Sequence, residues 1–271
     1  MCAAKVNFAP NVTPLYPPMA LIDTHAHIYE AQFQNDVALL IQQLQEAGVS
    51  CVLMPNVDAN SIGSLVAMAA LHSGFKIMLG LHPTYVKEDF KSQLAIIEAA
   101  IPIHDVKGIG EIGLDFFWDT AFASQQKMAF EMQLGWAVAR GLPVSIHSRN
   151  ATTDCINMVS RFGGKVRGVF HCFSGSLREA EAIMQLDMHL GIGGNLTYKN
   201  NPVRDFIHTI PLDRIVLETD SPYLAPVPKR GKPNSPAYLP YICSALASLQ
   251  GCTEAEVEQA TTRNAKAIFG L

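Results

Sequence analysis

The chain has 271 residues, of which 49% are hydrophobic and 16% charged, with a net charge of −4 and a pI near 6.1. This balance excludes a disordered chain and a broadly basic surface that coats nucleic acid, but it allows a local basic patch. No apolar run approaches the roughly 18 residues of a membrane span, and six cysteines without a CxxC pair predict free thiols in the cytoplasm.

The first residues hold four prolines and no signal-peptide pattern, so we predict a flexible leader over 1–19 and one domain over 20–271. From there on, short β-branched runs alternate with amphipathic runs. The predicted strands are 20–24, 50–55, 76–81, 106–112, 142–147, 166–171, 188–193 and 214–219. The predicted helices are 35–47, 61–73, 91–101, 124–140, 151–161, 176–186, 202–209, 237–249 and 253–268.

Strands that alternate with helices indicate parallel βαβ units, and eight such units in about 250 residues are typical of an α/β protein with a (β/α)8 TIM barrel. The competing fold is a doubly wound open sheet, which would require a glycine-rich first turn between strand and helix. The first turn here contains HAHIYE instead. We therefore predict the barrel.

Ionisable side chains follow the predicted strands at their carboxyl ends, where TIM barrels carry catalytic residues. In LIDTHAHIYE, the alternating Asp23, His25 and His27 are expected to share one face of the first strand. A lone histidine at a strand end is more often a hydrogen-bonded structural residue, but a convergence of imidazoles and carboxylates is costly without a cation. The other ionisable residues at predicted strand ends are His82, Glu111, His147, His171, Glu218 and Asp220, and four imidazoles and two carboxylates are expected to converge.

Imidazole and carboxylate groups are the ligands of zinc, manganese and related divalent ions. His25 and His27 would give two nitrogens to one ion, and Glu111 has two oxygens with which to bridge to a second. His147 and His171 would then serve that second ion. The mixed nitrogen and oxygen set leaves the identity of the ions open among Zn, Mg, Mn and Co.

Asp220, in ETDSPYL, is predicted to orient the attacking water and to take its proton. Two ions about 3.5–4 Å apart activate water and stabilise a leaving oxygen, which favours hydrolysis by in-line displacement.

Lys229, Arg230 and Lys232 lie together in the loop APVPKRGKPN, nine residues after Asp220 at the nearest. A solvated loop is the simplest interpretation, and contact with a phosphate backbone is the alternative. Arg149 follows His147 by two residues and is predicted to hold a phosphate oxygen. So few basic residues favour weak binding of a strand end over coating of a duplex.

The sequence resembles the TatD family of metal-dependent deoxyribonucleases, within the amidohydrolase-like barrels. The resemblance rests on IDTHAHIYEAQF, LGLHP, GIGEIGLDF, LPVSIHSR, VFHCFSGS, GIGGNLTYKN and ETDSPYLAPVPKRGKPNSP, in this order from residue 21 to 236, and on the final segment 253–270. It thus spans almost the whole chain after the leader.

The resemblance implies a TIM barrel with a two-metal site and 3′–5′ exonuclease action on DNA ends, preferably of single strands. It implies that Glu111 is the bridging or catalytic carboxylate and that His82 and Arg149 lie near the scissile phosphate. The protein is expected to act as a monomer. The implied metal ligands are His25, His27, Glu111, His147, His171 and Asp220.

One segment departs from the family pattern. After GEIGLD the family commonly carries a Tyr-Tyr-Arg run, whereas this chain has FFWDTAF over 116–122, with Gln126 and Lys127 where Gln-Arg is often found. Phe117 and Trp118 are interpreted first as core packing and alternatively as a stacking surface for a base.

Two other functions remain possible from the sequence. A metal-dependent ester or amide hydrolase (a deacylase, lactonase or deaminase) would use the same barrel and the same H-x-H pair. Many such barrels bridge their metals with a modified lysine on the fourth strand, where this chain has Glu111. A metal-holding interaction module without activity ranks last, because the ligand set is complete.

Overall fold

The computed structural model describes residues 20–271, and eight parallel strands follow one another in chain order around a single sheet. The strands are β1 Leu21–Asp23, β2 Val49–Pro55, β3 Phe75–Leu79, β4 Val106–Asp115, β5 Val144–Arg149, β6 Gly168–Phe170, β7 His189–Ile192 and β8 Ile215–Leu217. All neighbouring pairs are parallel. The predicted leader lies outside the described residues.

The sheet closes between its first and last strands, just beyond their carboxyl ends. Ala26 and Ser221 form a parallel bridge there, and the His27 N–H donates to the Ser221 carbonyl at 2.7 Å. The Asp220 N–H donates to the His25 carbonyl at 2.8 Å. We call this junction the β1–β8 seam. The architecture is a nearly closed barrel with helices between its strands, which confirms the predicted TIM barrel.

Nine α-helices occur in the described residues, and none of them is long and apolar enough to cross a membrane. Their bounds are α1 Ala31–Gln34, α2 Val37–Glu46, α3 Ile62–Ala69, α4 Phe90–Ala100, α5 Ala123–Arg140, α6 Thr152–Ser160, α7 Leu177–Gln185, α8 Leu239–Gln250 and α9 Glu254–Phe269. The short α1 escaped prediction.

The helix predicted at 202–209 was wrong, because the segment forms two 3-10 turns, Pro202–Asp205 and Ile207–Thr209. Phe206 separates them with a φ of −129°, which no α-helix accepts. The segment is too short to repay the cost of nucleating an α-helix, and proline at its first position withholds an N–H.

The amino-terminal end of the barrel interior is apolar and is filled by α9. Inward side chains of five strands pack there against Ala265, Ile268 and Phe269 of this helix. Asn264 fixes the helix by donating to the carbonyls of Leu212 and Ile215, both at 2.8 Å. The five strand residues are Ile22, Leu53, Met78, Val169 and Val216. Their immediate neighbours along the strands pack under the surrounding helices, as the two-residue period of a strand requires.

Candidate metal centre

Glu111 lies at the opposite, carboxyl-terminal end of the barrel and is only 2% exposed. Its Oε2 is 3.1 Å from His25 Nε2 and 3.4 Å from His27 Nε2. Asp220 closes this side, with Oδ1 at 3.8 Å and 3.6 Å from the same two nitrogens. One oxygen of Glu111 therefore faces the H-x-H pair together with the carboxylate from the end of β8.

The other oxygen of Glu111 faces a second group of imidazoles. Oε1 is 2.9 Å from His147 Nδ1, 3.1 Å from His171 Nε2 and 3.3 Å from His82 Nε2. The structure thus brings all six predicted ligands together, and their role as ligands stays a prediction. It also adds His82 to the cluster, although the sequence had suggested only a substrate contact for this residue.

Strands β4 and β5 pack closely against each other beneath this cluster. A Cβ on Gly110 would lie 2.8 Å from the Cβ of Ser145, so glycine allows β4 to approach β5 directly beneath Glu111. Ser145 in turn uses its hydroxyl at 3.0 Å from His25 Nδ1. Small residues at this level of the barrel separate the apolar interior from the ionisable one.

Each imidazole is also hydrogen-bonded through its second ring nitrogen, which fixes the orientation of the ring. Such outer partners orient metal-binding histidines and raise their basicity. The pairs are His25 with Ser145 at 3.0 Å, His27 with Tyr29 at 3.2 Å, His82 with Thr84 at 2.7 Å, His147 with Asp115 at 2.8 Å, and His171 with Glu218 at 3.2 Å. Sequence reasoning missed Asp115, although it ends the GEIGLD motif, and noted Glu218 without a role.

Glu218 is fully buried beneath His171. Its Oε1 accepts from His171 Nδ1 and from the Cys172 N–H, whereas Oε2 has no hydrogen-bond partner among residues 20–271. Gly191 leaves the space that this carboxylate occupies.

The donors that face Glu111 form two groups, His25 with His27 and His82 with His147, whose ligand atoms lie within 4.8 Å of one another together with those of Glu111. Buried carboxylate and imidazole groups this close are costly without a counter-ion, and their nitrogen and oxygen atoms fit a divalent metal ion.

The charges in the cluster are strongly coupled. Burial opposes ionisation of Glu111, but the neighbouring imidazoles, that of His82 first, hold its pKa well below its usual range. Burial likewise opposes ionisation of Asp220, yet its hydrogen bond with His27 leaves its pKa lowered. Burial would lower the pKa of His27, but Asp220 and Glu111 raise it to about 10. Both carboxylates are therefore ionised at neutral pH, and a bound cation would replace the proton that His27 carries.

Asp23 does not join the imidazoles, contrary to the prediction from strand alternation, because β1 ends at this residue. Its carboxylate accepts from Thr219 Oγ1 at 2.6 Å, from the Thr219 N–H at 2.9 Å and from the His25 N–H at 3.2 Å. Burial raises the pKa of Asp23 to about 7 despite these bonds. Asp23 thus ties the segment after β8 to the H-x-H segment.

The backbone is strained at three positions around the cluster. Asn150, Cys172 and Asp220 have φ values of 53°, 48° and 57°, in the left-handed region that residues other than glycine rarely adopt. Each such residue costs about 1–3 kcal/mol and persists only where surrounding structure requires it. Two of them directly follow Arg149 and His171, and the third is Asp220 itself, so the strain is concentrated at the candidate centre.

The predicted basic contacts lie on the loops around this end. Lys229 Nζ is 5.2 Å from the ring centre of Tyr238, and the Arg230 guanidinium is 4.3 Å from that of Tyr198. Neither forms an ion pair with any residue of 20–271. Their role in substrate binding stays a prediction.

Known proteins resemble this chain over most of its length. The family model described as TatD-related DNase matches residues 22–270. The metal-dependent hydrolase YabD of Bacillus subtilis is 34% identical over 253 residues, which cover 93% of this chain and 99% of that protein. The 3′–5′ ssDNA/RNA exonuclease TatD of Erwinia amylovora is 30% identical over 259 residues, covering 93% of this chain and all of that protein (100%).

A solved structure gives the same result for the fold. The crystal structure of the TatD homologue YjjV from Escherichia coli K12 superposes with a TM-score of 0.88 at 31% identity, covering 93% of this chain and 98% of that one. None of these similarities favours the alternative of ester or amide hydrolysis.

Proposed function

The chain belongs to the family of TatD-related DNases, and we propose that it is a divalent-metal-dependent 3′–5′ exonuclease of single-stranded DNA. The observation that supports this proposal most directly is the position of Glu111, whose two oxygens face two separate groups of imidazoles. The exonuclease name of the Erwinia amylovora relative supports the same substrate class.

We propose two metal positions that share Glu111. His25, His27 and Asp220 would hold the first ion, and His147 and His171 would hold the second. His82 lies beside the second position, at 3.3 Å from Glu111 Oε1. Ions bound there would lower the pKa of water and stabilise negative charge on the phosphate oxygens.

The chain's own residues would then perform three tasks. Asp220, ionised at neutral pH, accepts the proton of the water that attacks the phosphorus of the last phosphodiester. Arg149 holds a phosphate oxygen through its planar N–H groups, and His82 contacts the same phosphate. The bond from phosphorus to the 3′ oxygen of the preceding nucleotide breaks, that oxygen takes a proton from solvent, and a 5′-mononucleotide leaves.

Few basic residues are available for the rest of the strand. Arg149, Lys229 and Arg230 would neutralise two or three phosphates, which predicts a slope of about −1.4 to −2 for log affinity against log salt on single strands. Such a shallow dependence suits an enzyme that holds a strand end. We also propose that the protein acts as a monomer in the cytoplasm, and the free cysteines of the described residues support a reducing compartment.

The test is cleavage of 5′-labelled single-stranded DNA by protein loaded in turn with Mg, Mn, Zn or Co, resolved on a sequencing gel. We expect a ladder that shortens from the 3′ end and disappears in Glu111→Ala. An RNA strand of the same sequence defines the sugar preference. Intact DNA with every bound ion would contradict the proposal, and large internal fragments would contradict the exonuclease assignment.

A further inference from the structure

Two adjacent aromatic rings are exposed at the mouth of the barrel, after the end of β4. Trp118 is 70% exposed and Phe117 is 49% exposed, so the interpretation of these residues as core packing was wrong. The chain's other tryptophan, Trp136, is 7% exposed. Large exposed apolar surfaces of this kind commonly mark binding sites.

Arg149 lies against this pair of rings. Its guanidinium carbon is 3.9 Å from the ring centre of Phe117 and 5.2 Å from that of Trp118, and the two rings meet edge to face at 5.0 Å. Arg149 forms no ion pair with a carboxylate of residues 20–271. The aromatic contacts occupy the face of the guanidinium, which leaves its N–H groups free for a phosphate.

One carboxylate connects these rings to the candidate metal centre. Asp115 Oδ2 is 2.8 Å from His147 Nε2, while Oδ1 accepts from the N–H groups of Phe117 at 3.0 Å and Trp118 at 3.4 Å. The backbone of the aromatic pair is therefore fixed relative to a predicted metal ligand.

A cleft of about 440 Å³ adjoins Phe117 and Arg149, which is within the range of small-molecule sites. Its other lining residues are mostly small and polar, with hydroxyl or amide groups on several of them. Of the two acids in its wall, Asp154 is neutralised by Lys127 at 2.7 Å, which reduces the repulsion of a phosphate there. Glu179 accepts from the Ser176 N–H at 2.8 Å and keeps its charge.

We propose that Trp118, Phe117 and Arg149 form a subsite for one unpaired nucleotide of the substrate, and we call it the aromatic subsite. Trp118 stacks on the base, Phe117 supports the guanidinium, and Arg149 donates to the phosphate. This inference rests on the proposed nuclease function and adds a reason for strand preference. A base reaches the indole face only when it is unpaired and unstacked, so duplex ends must fray before they bind.

The first test compares Trp118→Ala with wild type on two single strands, one normal and one with abasic sites near the 3′ end. Loss of a stacked base should raise KM about 5- to 150-fold in wild type on the abasic strand, and in Trp118→Ala on the normal strand. In Trp118→Ala the two strands should have equal KM, and Trp118→Phe should restore most of the difference. Ile103→Ala, at a side chain that is 72% exposed before β4, is the matched control.

A purely structural role for Trp118 would change both strands alike and preserve the difference between them. Cleavage by Trp118→Ala with the wild-type ratio of KM values would therefore overturn the inference while leaving the nuclease function intact.

The second test does not depend on cleavage. Tryptophan fluorescence of the Glu111→Ala protein is titrated with oligothymidylate and with an abasic strand of equal length. We expect quenching by oligothymidylate that is weaker with the abasic strand and absent after Trp118→Phe, because Trp136 is buried. If wild type cleaves no DNA, the proposed function fails; equal quenching by both strands, or none, overturns the aromatic subsite.

Discussion

The two ends of the barrel are built from the same eight strands but are stabilised differently. At the amino-terminal end, inward residues such as Val216 pack against Phe269 of α9, and apolar groups satisfy one another. At the carboxyl-terminal end, inward residues such as Glu111 and His171 are ionisable and nearly as deeply buried. The two ends differ in how many buried ionisable groups they hold. Several surround Glu111, whereas at the amino-terminal end one imidazole nitrogen, His189 Nδ1 at the start of β7, lacks a hydrogen-bond partner among the described residues.

This difference separates stability from chemistry along each strand. Apolar burial gains free energy without any partner from solution, but buried charge costs free energy until a counter-charge arrives. We therefore expect changes at the amino-terminal end to alter unfolding alone, and changes at the carboxyl-terminal end to alter metal affinity and turnover.

The largest expected effect is at the carboxyl-terminal end. Asp220→Asn removes the proposed proton acceptor and should lower kcat about 10²- to 10⁴-fold at saturating metal. Turnover of labelled single-stranded DNA measures it, with the exposed Asp205→Asn as control. A kcat close to that of wild type would remove Asp220 from the reaction.

The corresponding change at the amino-terminal end is Phe269→Ala. Deleting a buried ring should cost about 3–5 kcal/mol of unfolding free energy in urea, since the strands around it cannot fully collapse. Metal affinity and kcat, measured well below the unfolding transition, should stay at wild-type values. If Phe269→Ala lost metal affinity as well as stability, the two ends would be coupled and the comparison would fail.

Glu218→Gln tests the difference between the two ends more closely, because it changes the charge of the side chain and keeps its shape. Metal affinity should fall about 10- to 100-fold, as for other groups that orient a metal-binding histidine. The free energy of unfolding of the metal-free protein should stay close to that of wild type, because the amide exchanges one unpaired buried polar atom for another. Calorimetric metal titration and urea unfolding give both values, and Glu181→Gln on the surface of α7 is the control. Unchanged affinity would contradict the role of Glu218.

The smallest expected effect is that of Asn264→Ala. Its amide satisfies the carbonyls of Leu212 and Ile215, so truncation should cost about 1–3 kcal/mol of stability and leave metal affinity unchanged. Urea unfolding measures it beside Asn157→Ala, an exposed change on α6. A stability equal to that of wild type would show that water replaces the lost amide.

The sequence was sufficient to predict the barrel and the convergence of the six candidate ligands, because both follow from local patterns. Alternating strands and helices imply the closed parallel sheet, and parallel strands bring the residues after their carboxyl ends to one place. His25, Glu111 and Asp220 could therefore be grouped although they are distant along the chain.

The remaining features depend on distances that no local pattern contains. Asp115 orients His147, and His82 lies 3.3 Å from Glu111. Both contacts depend on how far each side chain reaches across the barrel. Asp23 lies outside the cluster because β1 ends at this residue, sooner than the alternation of Asp23, His25 and His27 suggested. The exposure of Trp118 depends on what the neighbouring loops leave uncovered, which spacing cannot show.

The β1–β8 seam has a consequence for synthesis. His25 and His27 emerge early from the ribosome and Asp220 late, and the three meet only when the last strand docks on the first. A nascent chain that lacks β8 cannot assemble this side of the cluster, whatever ion is present. If the chain acts on nucleic acid as proposed, its activity would begin only after β8 has docked on β1 and the barrel has closed.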